Sequence, residues 1–184
     1  HAGFGFGDFQ PYEPSGGVPA SFIADPLVLD GRVELIIALQ MPLERINAIM
    51  TERTGMGETG ESYLIGPDKL MRSDSFLDPE NHSVKASFAR PETGNVDTEA
   101  SRAVLEGDTD AKIVTDYNGN PVLSAYAPVR VYDTTWGLLS EINETEVTEP
   151  IRALTMFILI AAVIMISAAV VIAVLFSRTI STPI

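Results

Sequence analysis

Hydrophobic and polar positions divide the chain into two unlike parts. Up to residue 150 the apolar residues come in short runs, broken by Gly, Pro, Asp and Asn. From 153 to 176 they form one unbroken run, ALTMFILIAAVIMISAAVVIAVLF, without a charged residue. At ~1.5 Å per residue, a helix of this length crosses the ~30 Å hydrocarbon core of a bilayer with some tilt to spare. Arg152 and Arg178 bracket the run. The pattern thus predicts a polar domain followed by one transmembrane helix.

Within the polar part the runs predict alternating strands and helices. HAGFGFGDFQPYEPSGG suits a short strand and a loop. PASFIADPLVL and RVELIIALQM read as a hairpin about the turn Asp30-Gly31, where positive φ is required. The continuous apolar stretch Leu35-Ile36-Ile37-Ala38-Leu39 predicts a strand buried on both faces. A helix is predicted from about Pro42 to Glu52, with Leu43, Ile46, Ile49 and Met50 as its apolar stripe. A lone hairpin cannot bury its own faces, so residues 1–50 are expected to complete a module that begins upstream. TGMGETG then marks a break. ESYLIG and KLMRSDS read as a second hairpin about Pro67-Asp68, and residues 76–94 as a long loop with a helical turn near His82. A helix over about 97–106 ends at Gly107. Three strands follow: AKIVTDY and PVLSAYAPVR flanking Asn118-Gly119-Asn120, then TWGLLSEI. Last, NETEVTEPIR runs as a helix into the span, with Asn143 or Thr145 as its N-cap. The predicted class is α+β: a five-stranded antiparallel sheet with helices on one face and a pocket between them, followed by one transmembrane helix.

Charge narrows the function classes. The net charge is −13, and before Pro150 it is −15, from 10 basic against 25 acidic residues. Such a surface argues against nucleic-acid binding and against lying flat on anionic lipid. The absence of cysteine excludes disulfides, iron–sulfur clusters and a cysteine nucleophile.

Candidate chemistry is sparse. TGMGETGES lacks the Lys-Ser/Thr ending of a phosphate loop and precedes a strand. Asp68, Asp74 and Asp78 lack the spacing of a calcium loop; His1 and His82 are too far apart for a zinc site, and no metal or cofactor is expected. A hydrolase would need His82 as base, with no nucleophile elbow to serve it. Asn81-His82-Ser83 and Asn143-Glu144-Thr145 match glycan acceptors. No catalytic residue is therefore expected. In KLMRSDS, alternation places Arg72 and Asp74 on one strand face. Either both are solvated, or they line a pocket in which Arg72 forks onto a carboxylate and Asp74 takes an ammonium. Tyr63, Asp116, Tyr126 and Trp136 on neighbouring strands would complete it, although each also suits a core or a turn.

Three stretches together resemble one family. GETGESYLIGPDKLMRSDS is similar to the opening of the membrane-proximal module of a double Cache (PAS-like) sensor domain. KIVTDYNGNPVLSAYAPV with TTWGLLSEINETEVTEPI is similar to its closing strands and exit helix. The stretch from FGDFQPYEPSGG to ERINAIM is similar to the end of the membrane-distal module. SRTISTPI, with Pro183, resembles the start of a HAMP linker. Where the family pattern runs RSDSRF, this chain has Arg72-Ser73-Asp74-Ser75-Phe76, one residue short.

The resemblance implies the following organisation: residues 1–50, the remnant of the distal module and a connecting helix; 51–150, the proximal module; 151–176, the second membrane helix; 177–184, the start of HAMP. It implies a fragment of a bacterial methyl-accepting chemotaxis receptor, with the sensor domain periplasmic, the C-terminus cytoplasmic, and the chain in the inner membrane as a parallel homodimer. The ligand would be a small molecule such as an amino acid or organic acid. The family's usual pocket lies in the distal module, of which this chain would hold only the end, near Asp8 or Tyr12. Two alternatives stay open: the sensory part of a receptor histidine kinase or nucleotide cyclase, with catalysis beyond residue 184, and a membrane-anchored assembly domain.

Overall fold

The computed structural model describes residues 3–180, which divide into two units after Glu144. His1 and residues 181–184 of the HAMP-like stretch lie outside the described residues.

The first unit holds two antiparallel sheets. In the smaller, β1 (Gly5–Tyr12), β2 (Val18–Leu29) and β3 (Arg32–Gln40) pair in sequence order. The β2–β3 turn is the one expected, with Asp30 and Gly31 both at positive φ. β3 departs from expectation: its residues are exposed throughout, Ile36 at 63% and Leu39 at 66%. Its one sheet partner among the described residues is β2. α1 (Leu43–Met50) follows, burying Met50 and packing Leu43 and Ile46 on the core, while Ile49 points away.

The second sheet has four strands, not five. Its order is β4 (Glu61–Ile65), β7 (Thr134–Asn143), β6 (Pro121–Val131), β5 (Asp110–Thr115). The stretch 69–75 forms no strand. It turns at Pro67-Asp68 as predicted, makes one bridge, Ile65 to Met71, and then pairs through a side chain: the Leu64 N–H donates to Ser73 Oγ at 2.9 Å. Met71, Arg72 and Ser73 are all buried, so the predicted alternation of a wet and a dry face fails. The predicted loop 76–94 instead holds three short helices, α2 (Pro79–His82), α3 (Val84–Ala89) and α4 (Pro91–Gly94). Local capping makes them: Asp78 and Ser83 accept from the N–H groups of Asn81 and Ala86, and Pro79 and Pro91 occupy first turns. Such short pieces show no apolar period. α5 (Glu99–Glu106) carries a capping box between Thr98 and Ser101 and stops at Gly107 in the left-handed region.

One face of the four-stranded sheet carries Glu61, Tyr63, Ile65, Leu139, Glu141, Ser124 and Tyr126, all buried. α5 lies against its strands β6 and β7. Gly137 permits the approach: a Cβ there would stand 2.5 Å from a Val104 methyl.

The second unit is helical. α6 runs from Glu144 to Ile180 as one helix that includes Pro150. It is long and apolar enough to cross a membrane, and none of its most apolar stretch is buried. β7 ends at Asn143 and α6 begins at the next residue.

Candidate functional site

The ionisable side chains buried in the first unit gather at two places. The first is built on a bulge in β1. Gly7 faces Phe22 and Gln10 faces Ala20, so two residues, Asp8 and Phe9, oppose the single Ser21. A bulge re-aims the side chains it carries. Here Phe9 is 2% exposed, with its ring 6.1 Å from that of Trp136, and Asp8 takes the guanidinium of Arg72 in a fork: Nε to Oδ1 2.9 Å, Nη2 to Oδ2 2.8 Å. Trp136 Nε1 donates to the same carboxylate at 3.2 Å. Arg72 also reaches Asp68 and the Leu70 carbonyl, each at 3.0 Å. Burial alone would ease its proton off, but the hydrogen bonds from Asp8 and Asp68 win and hold its affinity above the ordinary value. The guanidinium lies against Gly66, where a Cβ would fall 2.1 Å from it. This clasp joins β1 of the small sheet to β7 of the large one.

The second gathering lies on the covered face of the large sheet. Glu61 and Glu141 are directly paired residues of β4 and β7, 3% and 4% exposed. Four donors converge on Glu61: the Tyr117 hydroxyl, Ser75 Oγ at 2.8 Å, and the N–H groups of Phe76 and Leu77 at 3.0 and 3.2 Å. Glu141 receives two, Tyr63 at 2.8 Å and Ser124 at 2.7 Å. Burial, then the Glu141 charge, pushes the Tyr63 phenol well up; burial and Glu61 do the same to Tyr117. Both therefore stay protonated as donors. Burial also raises the Glu141 carboxyl, against the pull of its two hydroxyl partners. His82 stacks on the Tyr117 ring, 4.1 Å between centroids, and bonds Asp78 at 3.0 Å.

Beside this face, an open cleft of about 470 Å³ lies between α4, α5 and the end of β5, lined by Glu92, Asp97, Glu99, Arg102, Asp116 and Tyr117 among others. Its polar, acidic wall suits a cationic or hydroxylated small molecule better than an apolar one.

The six residues proposed from sequence do not converge on one pocket. Arg72 and Trp136 meet at Asp8. Tyr63 and Tyr126 share the covered face with Leu139 between them. Asp74 spans two elements, accepting from Asn47 Nδ2 at 2.7 Å and from the Val84 N–H at 2.7 Å. Asp116 ties its own turn, accepting from the N–H groups of Asn118 and Asn120, and also lines the cleft. Asp68, Asp74 and Asp78 thus serve three separate purposes. Glu61, Glu141, Ser75 and Tyr117 escaped sequence reasoning. The available signal was an acid at the same inward parity as Tyr63 and Ile65 in one strand, and as Leu139 in another.

Neither the family models nor the curated protein sequences compared with the chain give a match. Solved structures do. The chain is similar to the periplasmic sensory domain of the Campylobacter jejuni chemoreceptor Tlp1, with a TM-score of 0.61 at 16% identity over 82% of this chain and 52% of that one. It is similar to the extracellular domain of mmHK1S-Z3, described as a histidine kinase, with a TM-score of 0.56 at 18% identity over 83% and 53%. The ligand-binding domain of the Pseudomonas aeruginosa PAO1 amino acid chemoreceptor PctC in complex with GABA gives 0.50 at 16% identity over 77% and 57%. The chain spans about half the length of these neighbours. At such identities the likeness is one of fold: the first unit folds as periplasmic and extracellular sensory domains do.

Proposed function

We propose that this chain senses a small molecule outside the cytoplasm and passes the signal through a membrane helix, as part of a chemoreceptor of the methyl-accepting type. The observation that carries this reading is the junction at Asn143–Glu144, where a strand of a sensor-like sheet continues without a linker into a helix able to span a bilayer. A ligand that favours one arrangement of the sheet would displace β7 and with it α6. Displacements of about 1–2 Å are typical of such switches, and a coupling of about 1–3 kcal/mol changes affinity roughly 5- to 150-fold.

In this reading residues 1–50 end a membrane-distal Cache module, 51–150 form the proximal module, 151–176 cross the inner membrane, and 177–184 open a HAMP linker. The protein works as a parallel homodimer with its sensor domain in the periplasm. The open apolar faces of β2 and β3 suit a sheet that continues in the distal module. The ligand class is an amino acid or organic acid, in keeping with the GABA held by one neighbour. A histidine kinase is the second reading, favoured by the other neighbour. Both readings leave residues 1–184 without catalysis.

The test is binding. The full-length receptor in nanodiscs is titrated with GABA, the L-amino acids and small organic acids, read by the part of its tryptophan fluorescence that a Trp136→Phe variant loses; Trp136 is the one tryptophan of residues 1–184. Saturable change with at least one compound is expected; silence across the panel would favour an assembly domain.

A further inference from the structure

Two buried carboxyls on neighbouring strands are an unusual thing to build into a sheet. Each buried charge costs several kcal/mol unless it is paired, and like charges on directly opposed residues repel. Among the described residues no Lys or Arg forms an ion pair with Glu61 or Glu141. The groups that face the pair are weak acids or neutral donors. β4 offers Tyr63, β6 offers Ser124, the turn after β5 offers Asp116 and Tyr117, and the stretch before α2 offers Ser75. Behind Tyr117, α2 places His82, itself bonded to Asp78. The two acids are not equivalent. Glu61 is met by four donors, two of them backbone N–H groups that cannot turn away. Among the described residues Glu141 is met by two hydroxyls, and a hydroxyl can accept as readily as donate.

We propose that Glu141 is a proton-operated element: it takes up one proton when its surroundings acidify, reverses a hydrogen bond with Tyr63 or Ser124, and so alters the end of β7 that leads into α6. In the ionised state both hydroxyls donate to its carboxylate. In the protonated state the carboxyl O–H donates to one of those oxygens, and the repulsion from Glu61 disappears. The proton comes from bulk water, and nothing else is consumed. Glu141 lies two residues before the last residue of β7, and Trp136 lies five residues before Glu141 on the same strand. The inference needs no small-molecule ligand; it rests on the proposed function only for placing this face outside the cell.

The experiment is a pH titration of the full chain in nanodiscs, carrying ¹³C-labelled glutamate, read by the infrared C=O band of protonated carboxyls and by Trp136 fluorescence. In the wild type, one glutamate per chain is expected to lose its proton at a higher pH than the ordinary carboxyl range, and Trp136 to respond with the same midpoint. Glu141→Gln should abolish both signals. Ser124→Ala, which removes a donor to the ionised form, should move both to higher pH, and this arm stands if Glu141→Gln folds poorly. A wild type with no glutamate titrating above that range overturns the proposal. So does a band that survives Glu141→Gln. A carboxyl titration without a Trp136 response overturns the link to β7. None of these outcomes depends on finding a ligand, so failure here leaves the proposed function standing.

Discussion

Removing Asp8 should damage this protein far more than its position near the start of the chain suggests. Arg72 is 2% exposed and makes four hydrogen bonds, two of them to Asp8. Asp8→Ala leaves a buried guanidinium with only the partly exposed Asp68 and one carbonyl, and takes the acceptor from Trp136 Nε1. Breaking a buried pair by removing one partner costs about 3–5 kcal/mol. Asp68→Ala removes a contact to a carboxylate 43% exposed, and such pairs are worth about 0–1 kcal/mol. With urea slopes of about 1–3 kcal/mol/M, the first substitution should lower the midpoint by roughly 2 M and the second by a few tenths. The assay is equilibrium urea unfolding of the full chain in nanodiscs, read by Trp136, which lies against the clasp. In the double variant Asp8→Ala/Arg72→Met both charges are gone, so the loss should be smaller than the sum of the single losses. Equal midpoints for Asp8→Ala and Asp68→Ala would refute the reasoning, because the clasp would then be no stronger than a surface pair.

Three further outcomes follow from the same structure. Gly137→Ala should cost about 1–3 kcal/mol in the same assay, because its Cβ would meet Val104 at 2.5 Å in a packed layer. The folded first unit should lose thermal stability as pH rises through the window above 4.5, the ordinary value that burial raises for Glu141, because there the folded chain binds more protons than the unfolded one; Glu141→Gln should flatten that slope in calorimetry. Since the chain has no cysteine, single cysteines report topology: Ile113→Cys, at an exposed site, should react with a membrane-impermeant maleimide in intact cells, and Ser177→Cys only after the inner membrane is opened.

The elements were largely legible in the sequence wherever a turn residue or a long apolar period marked them. Asp30-Gly31, Asn118-Gly119-Asn120 and Gly107 each sit where a positive φ or a helix end was expected. The residue-75 region was not legible, because its backbone is satisfied by side chains: Ser73, Ser75, Asp74 and Asp78 replace the ladder that a strand would have made. α2–α4 are single turns set by caps and prolines, too short for periodicity. β3 reads as a strand covered on both faces, yet it lies open in the described structure. The site was less legible than the fold. Arg72 and Trp136 do come together, but their meeting point is Asp8, 64 and 128 positions away, placed by a bulge that leaves no mark in a pattern of apolar and polar letters. Glu61 and Glu141 lie 80 positions apart and become neighbours only through the register of β4 on β7.

The central claim is that β7 hands a signal directly to α6. Two glycines inserted between Pro150 and Ile151 of the full-length receptor would break the rigid helical connection there and leave the first unit untouched. With whichever compound of the amino acid and organic acid panel saturates the Trp136 signal, the account predicts unchanged binding midpoint and lost output, measured as receptor-dependent phosphotransfer in the same membranes. Normal output from the inserted chain would contradict it.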